Sequence, residues 1–194
     1  MELIPLIYIE NEEILIEKTS NPITLKDFLK QSENANKIYV LDLDGIKKDE
    51  PNLTIYQNIS RQHELWIDNG PRDLDDIVDT TMAGATDITL RRNLCPNLDI
   101  PEIEDITDNK IFTNLDFTDD PSFYKTEGLV NFNSREEIEM NFKYGEFFKT
   151  AASKNKIYSY DSDPQNYTYW KNLGVVGLLV DFNKIREFEN AIGN

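Results

Sequence analysis

Short apolar runs rich in Val, Ile, Leu and Tyr recur along the chain, and most of them end in a carboxylate or an asparagine. The clearest spans residues 37–44, Lys-Ile-Tyr-Val-Leu-Asp-Leu-Asp, followed by Gly45. A run that is apolar throughout and polar only at its carboxyl end predicts a parallel strand buried on both faces. Runs of the same kind occupy 3–9, 64–68, 86–90, 110–116, 128–133, 156–161 and 175–181. Residues 13–17 predict a hairpin partner for the first strand across a turn at Asn11. Helical patterns fill most gaps: 24–30, 52–60, 73–82, 101–105, 134 to about 152, 167–173 and 185–192. The longest of these opens on a capping box, Ser134 with Glu137. In 73–82, Leu74, Ile77, Val78 and Met82 share one face. The segment 118–127 is too short and polar to predict a helix. Eight strands alternating with helices argue for repeated β-α units. The expected architecture is one domain over 1–194, a compact (β/α)8 TIM-type barrel with shortened or missing helices, since the chain is short for that fold.

Charge narrows the partners. Against 36 Asp and Glu stand 20 Lys and Arg, a formal net charge of −16. That balance excludes free nucleic-acid binding, which needs a basic face, and disfavours an anionic membrane surface. No stretch reaches membrane-span length. The apolar run at the N-terminus is too short, and Glu2 too acidic, for a signal peptide. Cys95 is the one cysteine, so an internal disulfide and a cysteine-based zinc site are out, and a cytoplasmic location is expected.

In a parallel barrel the carboxyl ends of the strands surround one mouth, where chemistry and ligands sit. Here those ends carry Asp42, Asp44, Asp68, Arg91, Arg92, Asp116, Asn131, Asn133, Asp161 and Asp181. The expected partner is a small-molecule ligand. Carboxylates at the last two strand ends oppose a phosphate; at ~4 Å and an effective dielectric near 20, each like-charge contact costs roughly 4 kcal/mol. That half should accept a cation instead. Arg72 and Arg91, with Arg92, could hold one anionic group on the other half. Asp42 and Asp116 are the candidate acid–base pair, because crowded carboxylates titrate apart. Tyr8 is a candidate proton donor, or a filler of space. The aromatics Tyr158, Tyr160, Tyr167, Tyr169 and Trp170 could stack a planar ligand or simply pack. Asp161, Asp163, Asp119 and Asp120 match no calcium-loop pattern, and no Walker or Rossmann glycine loop occurs, so neither metal nor cofactor is expected. His63 has no second ligand beside it, and Cys95 has no neighbouring His. A mouth plugged by Tyr8, Trp66 and Phe117 would instead favour a non-catalytic barrel acting in binding or assembly. Self-association through Leu74, Ile77 and Val78 would then follow.

Several of these stretches, in fixed order, resemble the phosphoribosylformimino-aminoimidazole carboxamide ribotide isomerases of histidine biosynthesis and their archaeal-type relatives. Residues 3–9, Leu-Ile-Pro-Leu-Ile-Tyr-Ile, look like the family's first-strand "IPAIDL". Residues 40–45, Val-Leu-Asp-Leu-Asp-Gly, with Asn52, look like its "VVDLDGA…N". Residues 66–72 stand in the place of "GGGIR", and 114–116, Asn-Leu-Asp, in that of "SLD". The likeness covers about the first 120 residues. It implies a (β/α)8 barrel and an acid–base pair of aspartates on the first and fifth strands. Tyr8 stands at the first of those positions and Asp116 at the second. The phosphate-binding glycines are largely replaced, with Asp161 and Asp181 in the later loops. The resemblance with these departures implies a divergent member that does not carry out the isomerase reaction.

Overall fold

The computed structural model describes residues 1–97, 99–117 and 125–193. In chain order it contains β1 (Glu2–Glu10), β2 (Glu13–Leu15), α1 (Leu25–Gln31), β3 (Lys37–Asp42), α2 (Leu43–Lys48) and α3 (Leu53–Ile59). Next come β4 (Glu64–Asp68), α4 (Leu74–Met82), β5 (Ala85–Leu90), α5 (Ile100–Glu104), β6 (Lys110–Asn114) and β7 (Gly128–Asn131). The chain closes with α6 (Arg135–Met140), α7 (Phe142–Lys154), β8 (Ile157–Tyr160), α8 (Tyr167–Asn172), β9 (Gly177–Asp181) and α9 (Ile185–Gly193).

Strands β1 and β3 to β9 pair in parallel in chain order, and β9 returns to β1, so eight parallel strands close a barrel. This is the expected (β/α)8 architecture. One edge of β1 is shared. Its lower half, Glu2 to Leu6, pairs with β9, and its upper end, Tyr8 to Glu10, pairs antiparallel with β2.

Side-chain alternation sorts each strand into two faces. The inward set includes Ile4, Leu6, Tyr8, Tyr39, Leu41, Trp66, Phe112, Val130 and Leu179, which form one buried cluster. The outward set, such as Ile7, Ile38, Val40 and Ile67, packs under the helices with Phe28, Tyr56 and Ile77. Large rings fill the lumen: Trp66 lies 5.1 Å from Tyr39, 4.0 Å from Phe112 and 4.9 Å from Tyr158, centroid to centroid. Such close ring contacts add to an already large apolar burial.

Three sequence expectations shift. The predicted strand 37–44 ends at Asp42, because the Asp42 side chain accepts from the N–H groups of Asp44 and Gly45 and starts α2. A six-residue helix with three charged side chains carries too little periodicity to be seen in sequence. The single helix predicted from 134 breaks at Asn141, whose extended backbone ends α6 and whose side chain caps α7. On α4 the predicted association face is mostly occupied. Ile77 is fully buried in the core and Leu74 packs against it, leaving Val78 and Met82 exposed. Of the segment 118–127, residues 118–124 lie outside the described residues, as do Asp119 and Asp120. Among the described residues no helix is long and apolar enough to cross a membrane.

Helix α2 and the loop after β4 interlock. A Cβ on Gly45 would stand 2.5 Å from the Asn69 carbonyl oxygen, and Gly70 holds a left-handed φ of 67°. Arg72 ties the two together, bonding the carbonyls of Ile46 (2.9 Å) and Gly70 and pairing with Asp49 at 3.1 Å. Because the obstacle is backbone, Gly45→Ala is expected to destabilise the fold by about 1–3 kcal/mol, read as a lower urea midpoint with unchanged m.

Candidate functional site

The mouth divides into two halves. On one, β3, β4 and β5 bring together Tyr39, Asp68, Thr89 and Arg91. Asp68 is fully buried and takes two parallel bonds from Arg91, Nε to Oδ1 at 2.8 Å and Nη2 to Oδ2 at 2.7 Å. The Tyr39 hydroxyl donates to Asp68 Oδ2 at 2.9 Å, and Trp66 Nε1 donates to Thr89 at 2.8 Å. A bidentate guanidinium–carboxylate pair is the strong form of this contact. Burial opposes the Arg91 charge, but Asp68 holds it above its ordinary pKa. Burial, and then the Asp68 charge, push the Tyr39 hydroxyl well up. The arginine that could have oriented an anion is therefore already neutralised.

On the other half, β1, β8 and β9 converge on Asp181. Tyr8 donates to its Oδ1 at 2.9 Å and Tyr160 to its Oδ2 at 3.0 Å. Burial raises the Asp181 pKa, and the two tyrosine bonds and the Lys184 charge work against that rise. Burial also pushes Tyr160 up to about 12 and Tyr8 higher still. A tyrosine whose pKa is raised on folding stays protonated where the unfolded chain has already lost its proton. Its contribution is full below pH ~10, the ordinary tyrosine value, and is lost as pH rises through the folded value. Stability is therefore expected to fall between pH 10 and 12, and Tyr160→Phe to flatten that slope in a denaturant series.

Phe132, just past β7, joins the halves. It stacks on Tyr160 at 5.9 Å, meets Tyr39 edge-on at 6.1 Å, and lies 5.7 Å beneath the Arg91 guanidinium. It is half-buried, so one ring edge of the mouth stays partly open to solvent. Of the three residues whose plugging of the mouth would favour a non-catalytic barrel, Tyr8 and Trp66 lie buried in the lumen and Phe117 does not. Phe117 stacks on Tyr144 and meets Phe147 of α7, outside the barrel.

Four predicted site residues do not face the mouth. Asp42 lies on the outward face of β3, between Asp44 and Gly45 N–H groups, the Asn52 N–H (2.8 Å) and side chain, and the Tyr56 hydroxyl. Burial raises its pKa against these bonds. The proposed pairing of Asp42 with Asp116 across the mouth is therefore wrong. Asp116 lies half-buried two residues beyond β6, whereas Asp42 is enclosed in the helical layer. Asp44 takes the N–H groups of Asn11 and Glu12 at 3.0 Å each and the Lys48 ammonium at 2.8 Å, fixing the β1–β2 turn. Burial alone would raise its pKa, but Lys48 and those N–H groups hold it well below the carboxylate range. Asp161 accepts from Trp170 Nε1 and the Asp163 N–H (2.8 Å) in the outer layer. Arg72 is the tie between α2 and the loop after β4 already described. The structure thus brings together Tyr8, Asp68, Arg91 and Asp181 of the predicted set.

Sequence reasoning missed Tyr39 and Phe132 as mouth residues. Tyr39 points inward from β3 and Phe132 lies just past β7, and neither carries a sequence pattern that places it at the mouth. It also missed Ser32 beside His63. The Ala35 carbonyl only accepts, so His63 Nδ1–H donates to it at 2.7 Å, and Nε2 lies in hydrogen-bond contact with Ser32 Oγ at 2.9 Å. Both side chains are buried, and they tie the end of α1 to the start of β4. Cys95 is buried, and burial pushes its thiol up to about 11, away from nucleophilic use. Among the described residues no group of three His, Cys, Asp or Glu could hold a metal ion. A groove of about 670 Å³ runs along the flank between α1 and α9, away from the mouth.

Neither protein-family models nor curated proteins contain a match to this chain.

Proposed function

We propose that this chain is a divergent barrel of the ribotide-isomerase type that binds a small polar ligand at its mouth and does not carry out the isomerisation. The observation that carries the reading is the bond from Tyr8 to Asp181. At the first-strand position where the resembled family keeps a catalytic aspartate, this chain has a protonated phenol donating to a neighbouring carboxylate. A phenol held protonated far above neutral pH is a poor general base. The interlock of α2 with the loop after β4 supports the kinship. Gly45, in the stretch 40–45 that carries the resemblance, lies against Asn69 in the stretch 66–72, with no space there for a side chain.

The test is direct. The purified chain is expected to show no turnover of the family's ribotide substrate, where typical enzymes reach about 1–10³ s⁻¹. It is also expected to rise in melting temperature with at least one small polar metabolite, as a ligand of the folded state requires. Ordinary turnover would overturn the first half, and a flat thermal screen the second.

A further inference from the structure

We propose that the mouth ligand is a cationic amine, seated beside Asp181 and over the rings of Tyr160 and Phe132. The inference rests on the mouth-binding reading above and names the chemistry of that ligand. Three observations lead to it. The first is charge. Of the two buried mouth carboxylates, Asp68 has its cation in Arg91, whereas Asp181 is hydrogen-bonded by two neutral tyrosine hydroxyls, and the cation that acts on it, Lys184, is paired with Glu17 at 3.4 Å. A carboxylate offers about four lone-pair sites, and the two tyrosine donors fill only two of them. The second is the surrounding wall. Tyr8 and Tyr160, on the strands either side of β9, bond Asp181, and Phe132 stacks on Tyr160; Tyr160 and Phe132 are half-buried, so their rings are partly open to the mouth. Aromatic faces attract cations, most strongly where water is displaced. Phe132 already carries one, the Arg91 guanidinium, 5.7 Å from its ring centroid. The third is what the site refuses. An anion would meet the Asp181 charge and find Arg91 bidentately engaged, and no cluster of three metal-ligating side chains occurs among the described residues. An alkylammonium uses the carboxylate for its charge and the rings for its carbon skeleton.

The probes are choline chloride and methylammonium chloride, with sodium phosphate as the anionic arm and sodium chloride to match ionic strength. Each is titrated into the full chain to about 10 mM, a range that detects millimolar affinity, and followed by NMR shifts of the tyrosine rings. Choline or methylammonium is expected to move the Tyr8 and Tyr160 signals, and phosphate to leave them still. Asp181→Asn is expected to weaken that binding at least about tenfold, and Phe132→Leu, which leaves the carboxylate and both tyrosines in place, by about threefold or more. If Asp181→Asn does not fold, the Phe132→Leu result decides. Unchanged amine affinity in the folded variants overturns the proposal. If phosphate moves the mouth signals and the amines do not, the amine assignment falls while the mouth-binding reading stands. If no probe moves them, the amine assignment falls, and the broader metabolite screen alone judges the mouth.

Discussion

Asp68→Ala is expected to cost the fold about 3–5 kcal/mol, the range found when one partner of a buried ion pair is removed. The reason lies in what remains. Arg91 keeps a guanidinium whose side chain is only 21% exposed, and the buried Tyr39 hydroxyl loses its charged acceptor and is left with Thr89 at 3.2 Å. Removing both charges together should hurt less. Asp68→Leu combined with Arg91→Met replaces the pair by apolar volume, a change that is often neutral in buried sites. Urea denaturation of the single and double variants checks this. A single variant within about 1 kcal/mol of the parent, the scale of an exposed pair, would show that solvent already screens the pair.

The second large effect is expected at Asp42, a residue the sequence marks for chemistry and the structure gives to architecture. Asp42→Ala removes the cap of α2, worth about 1 kcal/mol. It also strands the buried Tyr56 hydroxyl, at about 1–3 kcal/mol. The sum is a loss of about 2–4 kcal/mol. Tyr56→Phe removes the donor and leaves Asp42 with its backbone and Asn52 partners, so its loss should be nearer 1 kcal/mol, the net worth of one hydrogen bond. The ordering of these two midpoints is the measurement, and equal losses would mean that the cap contributes nothing.

The barrel itself was legible because each strand is buried on both faces, and a run such as Ile38 to Leu41 can be little else. The mouth was only half legible. Sequence places a residue at a strand end but not on a face, and one step of parity separates Asp181, inside, from Asp161 and Asp42, outside. The parity could have been read at β8, where Tyr158 and Tyr160 alternate with Ile157 and Ser159. At β3 it was masked, because both Leu41 inside and Val40 outside are apolar. The hydrogen bonds of Asp42 depend on Asn52 and Tyr56, brought near by a short helix that leaves almost no periodic trace. Phe132 was missed for another reason, since a lone aromatic after a strand end has no pattern.

The seam where β9 meets β1 also bears on how the chain reaches this state. Its register joins Leu3 to Leu178 and Leu6 to Asp181, a separation of nearly the whole polypeptide. Such non-local pairing is slow to form. Until residues 177–181 arrive, the lower half of β1 presents bare amides and carbonyls, an invitation to a neighbouring chain. β2 shields only the upper end. The net charge of −16 then acts as a chaperone built into the composition, since mutual repulsion keeps half-made molecules apart while each waits for its last stave.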